Sequence, residues 1–128
     1  MKKVLKFVLI IIILMVLTAA GGIYYLTRGM DDIKEMSVNG INLTRISDGT
    51  YYGSCESGRW ANTLAIHVVG GRITKIDVSK DVRFVQEGVS NDLFEKVISK
   101  QDTRVDTVSG ATITSKAYLK AIENAFAQ

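Results

Sequence analysis

Residues 63–78, TLAIHVVGGRITKIDV, decide the fold of this chain. Thr63–Val69 is apolar and mostly β-branched, which favours a strand. The dipeptide Gly70-Gly71 is typical of a tight turn, and it leads into Ile73–Val78, whose apolar residues can line one buried side. The stretch therefore predicts a β-hairpin.

Further elements are predicted on both sides of the hairpin. Thr50–Ser54, after Asp48-Gly49, is aromatic and β-prone, which favours another strand. Helical spacing of apolar residues begins behind Ser90 or Asn91 as the cap and predicts a helix to about Lys100. A last amphipathic helix is predicted over Ser115–Phe126, with Glu123 mainly on its polar side. Strands first and helices later indicate an α+β domain, a small antiparallel sheet packed against C-terminal helices.

The N-terminus predicts a transmembrane helix. Phe7–Leu26 holds twenty residues without a formal charge, and thirteen of them are Phe, Val, Leu, Ile or Met. At about 1.5 Å per residue this length covers the roughly 30 Å hydrocarbon core of a bilayer. We therefore expect the lipid bilayer to be one partner of the chain.

Flanking charges predict the orientation of that helix. Basic residues precede it, whereas two of the three charged residues that follow closely are acidic: Lys2, Lys3 and Lys6 before, Arg28, Asp31 and Asp32 after. The positive-inside bias keeps the N-terminus cytoplasmic and places the rest outside the cytoplasm. The alternative is a cleaved signal peptide, because Thr18-Ala19-Ala20 offers small residues at a suitable place.

Length and charge limit the remainder. The chain has 128 residues, and we divide it into a cytoplasmic tip and anchor (1–28), a juxtamembrane connector (29–47) and one domain (48–128). Without the four basic residues that flank the anchor, twelve Lys and Arg face thirteen Asp and Glu. No basic stripe remains for a phosphate backbone, so we expect no nucleic-acid partner. Cys55 is the sole cysteine, so an intrachain disulfide is excluded.

Asp106–Ser115, DTVSGATITS, crowds hydroxyls, a glycine and an alanine into the loop before the last predicted helix. Gly110 and Ala111 leave little side-chain bulk beside Thr112. The first amides of a helix are free donors whose dipole favours an anion, so a phosphate at Thr112 would be well placed. The same residues also fit a plain loop in which Thr114 or Ser115 is the helix N-cap.

This stretch resembles the flavinylation motif Asp-x-x-Ser-Gly-Ala-Thr of the FMN-binding domain family. The matching residues are Asp106, Ser109, Gly110, Ala111 and Thr112. The resemblance extends upstream to DGTYYG at 48–53 and GRITKIDV at 71–78, and it covers roughly residues 48–126. The domain also occurs in the flavin subunits of sodium-pumping NADH:quinone oxidoreductase and of the Rnf complex. There a dedicated flavin transferase, using FAD and a divalent metal, joins the last Thr of the motif to FMN through a phosphoester.

The resemblance implies a function. It implies that Thr112 carries covalent FMN and that the chain is a membrane-anchored, extracytoplasmic electron carrier rather than a self-contained enzyme. The implied cofactor-binding residues are Thr112, Ala111, Gly110, Ser109, Asp106, Thr114 and Ser115, with no catalytic residue and no metal ligand. The implied partners are a flavin transferase and membrane redox proteins or a quinone-linked complex. The alternative is a binding or scaffold module that uses flavin weakly or not at all.

Three features outside the motif also bear on function. Trp60 could stack on a flavin or cap the sheet edge. His67 lies inside an apolar strand with no second His or paired Cys, which favours a structural role over metal binding. The stretch Ser79–Val89 lacks the proline-glycine loop of many family members.

Overall fold

The protein consists of a long N-terminal helix followed by a three-stranded sheet and its flanking helices. The computed structural model describes residues 1–127. The helices are α1 (Lys2–Thr27), α2 (Met30–Glu35), α3 (Val89–Lys100) and α4 (Thr112–Phe126). The strands are β1 (Gly49–Cys55), β2 (Asn62–Val69) and β3 (Arg72–Lys80), with a 3-10 turn (Gly58–Trp60) between β1 and β2.

The sheet is antiparallel in the order β1-β2-β3. Ile66 pairs with Tyr51 on one side and with Ile76 on the other. The turn between β2 and β3 is Gly70-Gly71, with φ angles of 63° and 74°. Two consecutive positive φ angles are what a type I′ hairpin turn requires, and glycine adopts them without steric cost. The predicted hairpin is confirmed.

Helix α4 packs across the sheet and forms the core with it. Leu64 and Ile66 from β2 and Tyr118 and Ile122 from α4 are almost fully buried. The backbones of β1 and α4 come very close at Gly53, where a Cβ atom would lie 1.9 Å from the carbonyl oxygen of Ala121. Only glycine fits there. The α+β fold class is confirmed.

Helix α3 is tied to the free edge of β3 by one side chain. Gln101 follows α3 in a left-handed conformation, with φ 57°. Its Oε1 accepts from the Ile73 amide at 2.7 Å, and its Nε2 donates to the Ile73 carbonyl at 2.9 Å. These bonds replace the strand partner that the β3 edge lacks among the described residues.

The start of α4 differs from the prediction. The helix begins at Thr112, three residues before Ser115, and Ala111 is its N-cap. The Ala111 carbonyl accepts the first helical bond, from the Ser115 amide at 2.9 Å. Thr114 and Ser115 are buried within the first turn, so neither is the N-cap. The Ser115 hydroxyl instead accepts from the Val108 amide at 3.1 Å, which fixes the loop onto the helix.

The segment between the anchor and the sheet packs on the domain, which the sequence did not predict. Helix α2 lies against α4, and its Ile33 is fully buried. The amides of Asn39 and Gly40 donate to Glu123 Oε1 at 2.7 and 2.9 Å. Glu123 is therefore buried and hydrogen-bonded, not part of the polar face of α4 as expected.

Helix α1 is the one described helix that is long and apolar enough to cross a membrane, judged by length and composition. The mean hydropathy of its most apolar window is 2.7. Every residue of α1 is exposed, so the domain leaves most of its apolar surface uncovered. A helix of this kind gains stability only when lipid or another apolar partner covers it.

Candidate functional site

The loop before α4 turns sharply at Gly110 to present the start of the helix. Gly110 has φ 76°, a left-handed conformation that L side chains rarely adopt. The amide of Ala111 bonds back to the Val108 carbonyl at 3.0 Å, closing a tight turn. The first helical bond is made by Ser115, so the amides of Thr112, Ile113 and Thr114 have no partner among residues 1–127. Three free donors at the positive end of a helix favour an anion.

Thr112 is the first residue of α4, and its side chain is exposed. Its neighbours Ala111 and Thr114 are buried. Within the described chain the Thr112 hydroxyl makes no hydrogen bond. No protein contact therefore has to break before this hydroxyl is modified. A phosphate on this hydroxyl would lie in the first turn of a helix, where negative charge is stabilised.

A cavity of about 530 Å³ adjoins this helix start. Its volume lies within the range of about 300–1,000 Å³ that is usual for small-molecule and cofactor sites. Residues from distant parts of the chain complete the lining around the motif loop. The lining consists of Met30, Arg59, Trp60, Phe84, Gln86 and the segment from Gly110 to Thr114.

Arg59 lies between two aromatic rings of this lining. Its guanidinium carbon is 4.3 Å from the ring centroid of Trp60 and 5.3 Å from that of Phe84. Both distances fall within the range of a cation–π contact. The Arg59 Nε is buried without a hydrogen-bond partner among the described residues. The cavity wall thus combines a positive charge with aromatic surface.

The position of Trp60 bears on its two proposed roles. Trp60 lines the cavity, yet only 4% of its surface is exposed and Arg59 already lies over its ring. A planar ligand would therefore meet the Arg59 guanidinium before that face of the indole. Phe84, which is 49% exposed, offers the more open aromatic surface.

The loop Asp81–Gly88 supplies Phe84 and Gln86, although it lacks the proline-glycine sequence of many family members. The Tyr118 hydroxyl donates a hydrogen bond to Asp81 Oδ1, which also accepts one from the Val82 amide at 2.8 Å. The Arg83 amide donates to the Arg59 carbonyl at 2.8 Å. These bonds hold the loop against the cavity. Burial and the hydrogen bond to Asp81 raise the pKa of Tyr118 well above its ordinary value, so Tyr118 keeps its proton.

The structure divides the seven predicted cofactor-binding residues among three places. Gly110, Ala111, Thr112 and Thr114 line the cavity. Asp106 and Ser109 line a separate, more open depression of about 890 Å³ that also contains Lys96, Lys100 and Arg104. Ser115 lines neither, because it is fully buried against the loop. The cofactor roles of these residues stay predictions.

Two other polar residues have structural partners. His67 Nδ1 lies 3.1 Å from Thr50 Oγ1, and its Nε2 lies 2.8 Å from Asp77 Oδ2. The hydrogen bond from His67 is the main reason that the pKa of Asp77 lies below its ordinary value. Burial raises the pKa of the Cys55 thiol, which makes it a poor nucleophile. No cluster of three or more metal-ligating side chains occurs within residues 1–127.

Sequence reasoning missed five of the lining residues: Met30, Arg59, Phe84, Gln86 and Ile113, of which only Ile113 lies within the motif segment. Phe84 and Val85 gave a usable signal, since two consecutive large apolar residues stand in a loop whose other positions are mostly polar or charged. Met30 and Gln86 carried no such signal. Only tertiary packing brings them to the motif.

Comparison with known families decides the affiliation of the chain. A family model described as the FMN-binding domain matches residues 27–127. The chain belongs to the FMN-binding domain family. Among curated proteins, a sequence search gave no match. The family supports a flavin-binding role, and the match begins at the C-terminal end of α1, so it includes α2 and the segment before β1. The family model thus also covers the segment that packs on α4.

Proposed function

We propose that the protein is a membrane-anchored, extracytoplasmic electron carrier whose FMN is joined to Thr112 through a phosphoester. The observation that carries the proposal is the placement of Thr112. Its exposed hydroxyl lies in the first turn of α4, at the edge of a cofactor-sized cavity and beside three amides that have no partner within residues 1–127. These features fit a phosphate attached to a bulky, planar group.

The residues of the cavity fit FMN in both charge and shape. The free amides of Thr112, Ile113 and Thr114 can bind phosphate oxygens. Arg59 supplies the one guanidinium of the described lining, and Phe84 supplies open aromatic surface. When bound, flavin supplies the electron-transfer chemistry, and the protein orients it and tunes its potential.

Attachment requires a separate flavin transferase as a partner. The Thr112 oxygen forms a bond to the FMN phosphorus of FAD, the pyrophosphate bond breaks, AMP leaves and the hydroxyl proton is lost. The exposure of Thr112 allows the transferase to reach it. Membrane redox proteins or a quinone-linked complex would then donate and accept the electrons.

A carrier is preferred over a self-contained enzyme because of the cavity lining. The described lining contains no His, Cys, Asp or Glu, so no side chain there is suited to general acid–base catalysis near neutral pH. Covalent attachment also suits a location outside the cytoplasm, where a lost cofactor is not recovered. Helix α1 with its basic N-terminal flank favours that topology.

The test is flavin loading of the full chain co-expressed with a flavin transferase. The wild type should gain the mass of one FMN on the peptide that holds Thr112, and it should stay yellow after denaturation. Thr112→Ala should gain none, because phosphoester formation needs the hydroxyl. Thr112→Ser should load at least partly, and Thr107→Ala, which removes a hydroxyl at a position that the motif leaves open, should load like the wild type.

Two results would contradict the proposal. Full loading of Thr112→Ala would show that the acceptor is another residue. A wild type that never acquires the adduct would favour a binding or scaffold module.

A further inference from the structure

The end of the anchor helix is in direct backbone contact with the domain. Gly29, between α1 and α2, has φ 83°, and a Cβ atom on it would lie 2.8 Å from the backbone carbon of Ser57. A Cβ atom on Gly58 would lie 2.1 Å from the carbonyl oxygen of Arg28. Two glycines therefore allow the 3-10 turn to pack on the last residues of the anchor. The domain is held close to the end of α1 and does not hang from a long tether.

This contact fixes which part of the domain lies nearest the membrane. Tyr25 is among the last apolar residues of α1, where aromatic side chains favour the headgroup region. A groove of about 440 Å³ is lined by Tyr25 and Arg28 together with domain residues that include Lys80 and Arg83. When α1 spans the bilayer, residues that share a groove with Tyr25 lie at headgroup depth.

The charge of this groove is mainly positive. Its lining holds four basic side chains, those of Arg28, Arg59, Lys80 and Arg83, and one acidic side chain, that of Glu56. Within the described chain no carboxylate lies within ion-pair distance of any of the four. Exposed Lys and Arg side chains near an anionic leaflet are attracted to its phosphates.

Two exposed apolar side chains directly follow Arg83 in the sequence. Phe84 is 49% exposed and Val85 is 58% exposed. Val85 is absent from the cavity lining, so no role in the candidate site accounts for its exposure. Basic residues beside exposed aromatic and aliphatic residues are typical of surfaces that enter the membrane interface.

We propose that the domain rests on the adjacent leaflet: Arg28, Lys80 and Arg83 contact anionic lipid phosphates, and Val85 enters the interface. The inference rests on the proposed spanning of α1. It places the rim of the cavity, which includes Met30 and Phe84, at the lipid surface. Redox partners would then reach the site from the bilayer.

The test uses the full chain in nanodiscs of phosphatidylglycerol and phosphatidylcholine, with no other protein besides the scaffold belt. A nitroxide is attached at Val85→Cys, and its collisions with oxygen and with a water-soluble nickel chelate are measured. The native Cys55 is buried with a raised thiol pKa, so the exposed cysteine reacts selectively, and the wild type serves as the labelling blank.

Val69→Cys is the matched control. Val69 is the same residue type with nearly the same exposure, 59%, but it lies at the hairpin end of β2. Asn62, at the other end of β2, lies beside the groove. At about 3.3 Å per residue, Val69 is roughly 23 Å along the strand from Asn62. We expect oxygen accessibility at position 85 to exceed that at position 69 several-fold, with the reverse for the nickel chelate.

Charge provides a second arm. Arg83→Glu, combined with Val85→Cys, should lower the immersion of the label in anionic nanodiscs and should have little effect in purely zwitterionic ones. Equal, water-like accessibility at positions 85 and 69 in an inserted chain would overturn the inference, leave the anchored carrier intact and favour a protein partner for this surface. A chain that never enters the bilayer would overturn the anchor, and the inference with it.

Discussion

At the scale of single residues, Gly110 controls how Thr112 is presented. A Cβ atom on Gly110 would meet nothing within 4 Å, so crowding does not explain the glycine. Its φ of 76° does, because an L residue in this conformation loses about 1–2 kcal/mol. A residue that avoids the left-handed region would open the turn and change how the loop before α4 presents the Thr112 hydroxyl to the transferase.

Gly110→Val should therefore load flavin more slowly while the domain stays folded. Gly110→Asn is the matched control, because asparagine tolerates the left-handed conformation, and it should keep most of the loading rate. The measurement is the flavinylated fraction by intact mass at a short co-expression time. Equal loading of both variants and the wild type would show that the turn conformation is unimportant for attachment.

Tyr118 links the core to the cavity loop through Asp81, and its raised pKa has a consequence for stability. The unfolded chain loses this proton near pH 10, the ordinary value for tyrosine, whereas the folded chain keeps it. The contribution of Tyr118 is therefore complete below about pH 10 and is lost as the pH rises towards the folded pKa.

Above pH 10 the free energy of unfolding of the wild type should fall more steeply than that of Tyr118→Phe, by at most about 1.4 kcal/mol per pH unit. At neutral pH the variant should be less stable by about 1.5–3 kcal/mol, the usual range for a hydrogen bond to a charged group. Tyr52→Phe, at an exposed position, is the control. Denaturant titrations in detergent at several pH values provide the measurement, and parallel slopes for the wild type and Tyr118→Phe would contradict the argument.

At the scale of elements, the contact between β1 and α4 depends on Gly53. Its absent side chain lets the strand reach the helix backbone, and α4 in turn carries Thr112 at its start. An added Cβ atom would meet the Ala121 carbonyl at 1.9 Å and the Ala125 amide nitrogen at 2.6 Å. Both are backbone atoms, so α4 as a whole would have to move.

Gly53→Ala should lower the free energy of unfolding by about 3 kcal/mol or more, at the upper end of overpacking effects. Gly70→Ala is the control, because its Cβ would meet no atom within 4 Å and only the positive φ of 63° adds strain. That variant should lose about 1–2 kcal/mol. Chemical unfolding of both variants gives the comparison, and equal losses would show that general glycine effects, not crowding, account for Gly53.

At the scale of the whole molecule, α1 is long and apolar enough to cross a membrane. All of its side chains are exposed, so association with a membrane would rest on lipid burial of the helix. Burial of this kind is insensitive to ionic strength, whereas attachment by charge alone is screened by salt.

The intact chain should therefore stay with the membrane fraction in high salt and in alkaline carbonate. The measurement is immunoblotting of pellet and supernatant, with a known peripheral protein as the released control. A shorter protein in the medium that begins near Gly21 would identify α1 as a cleaved signal peptide.

The sequence by itself determined the elements whose cause is local. The hairpin follows from β-branched runs around Gly70-Gly71, and α3 and α4 follow from helical periodicity. The motif from Asp106 to Thr112 indicated the flavin family before any contact was known, and the family match agrees with it. Apolar length likewise marked α1. In each case residues close together in the sequence decide either the local conformation or, for α1, whether the segment prefers lipid to water.

Only the tertiary structure decided the features whose causes are far apart in the chain. The burial of Glu123 depends on the amides of Asn39 and Gly40, which precede it by 84 and 83 residues. The cavity wall depends on Arg59 lying between Trp60 and Phe84. All three residues are more than twenty positions away from the motif in the sequence. Hydrogen bonds and packing across such separations leave no periodic pattern in the sequence, because each is satisfied by a single pair of groups that only the fold brings together.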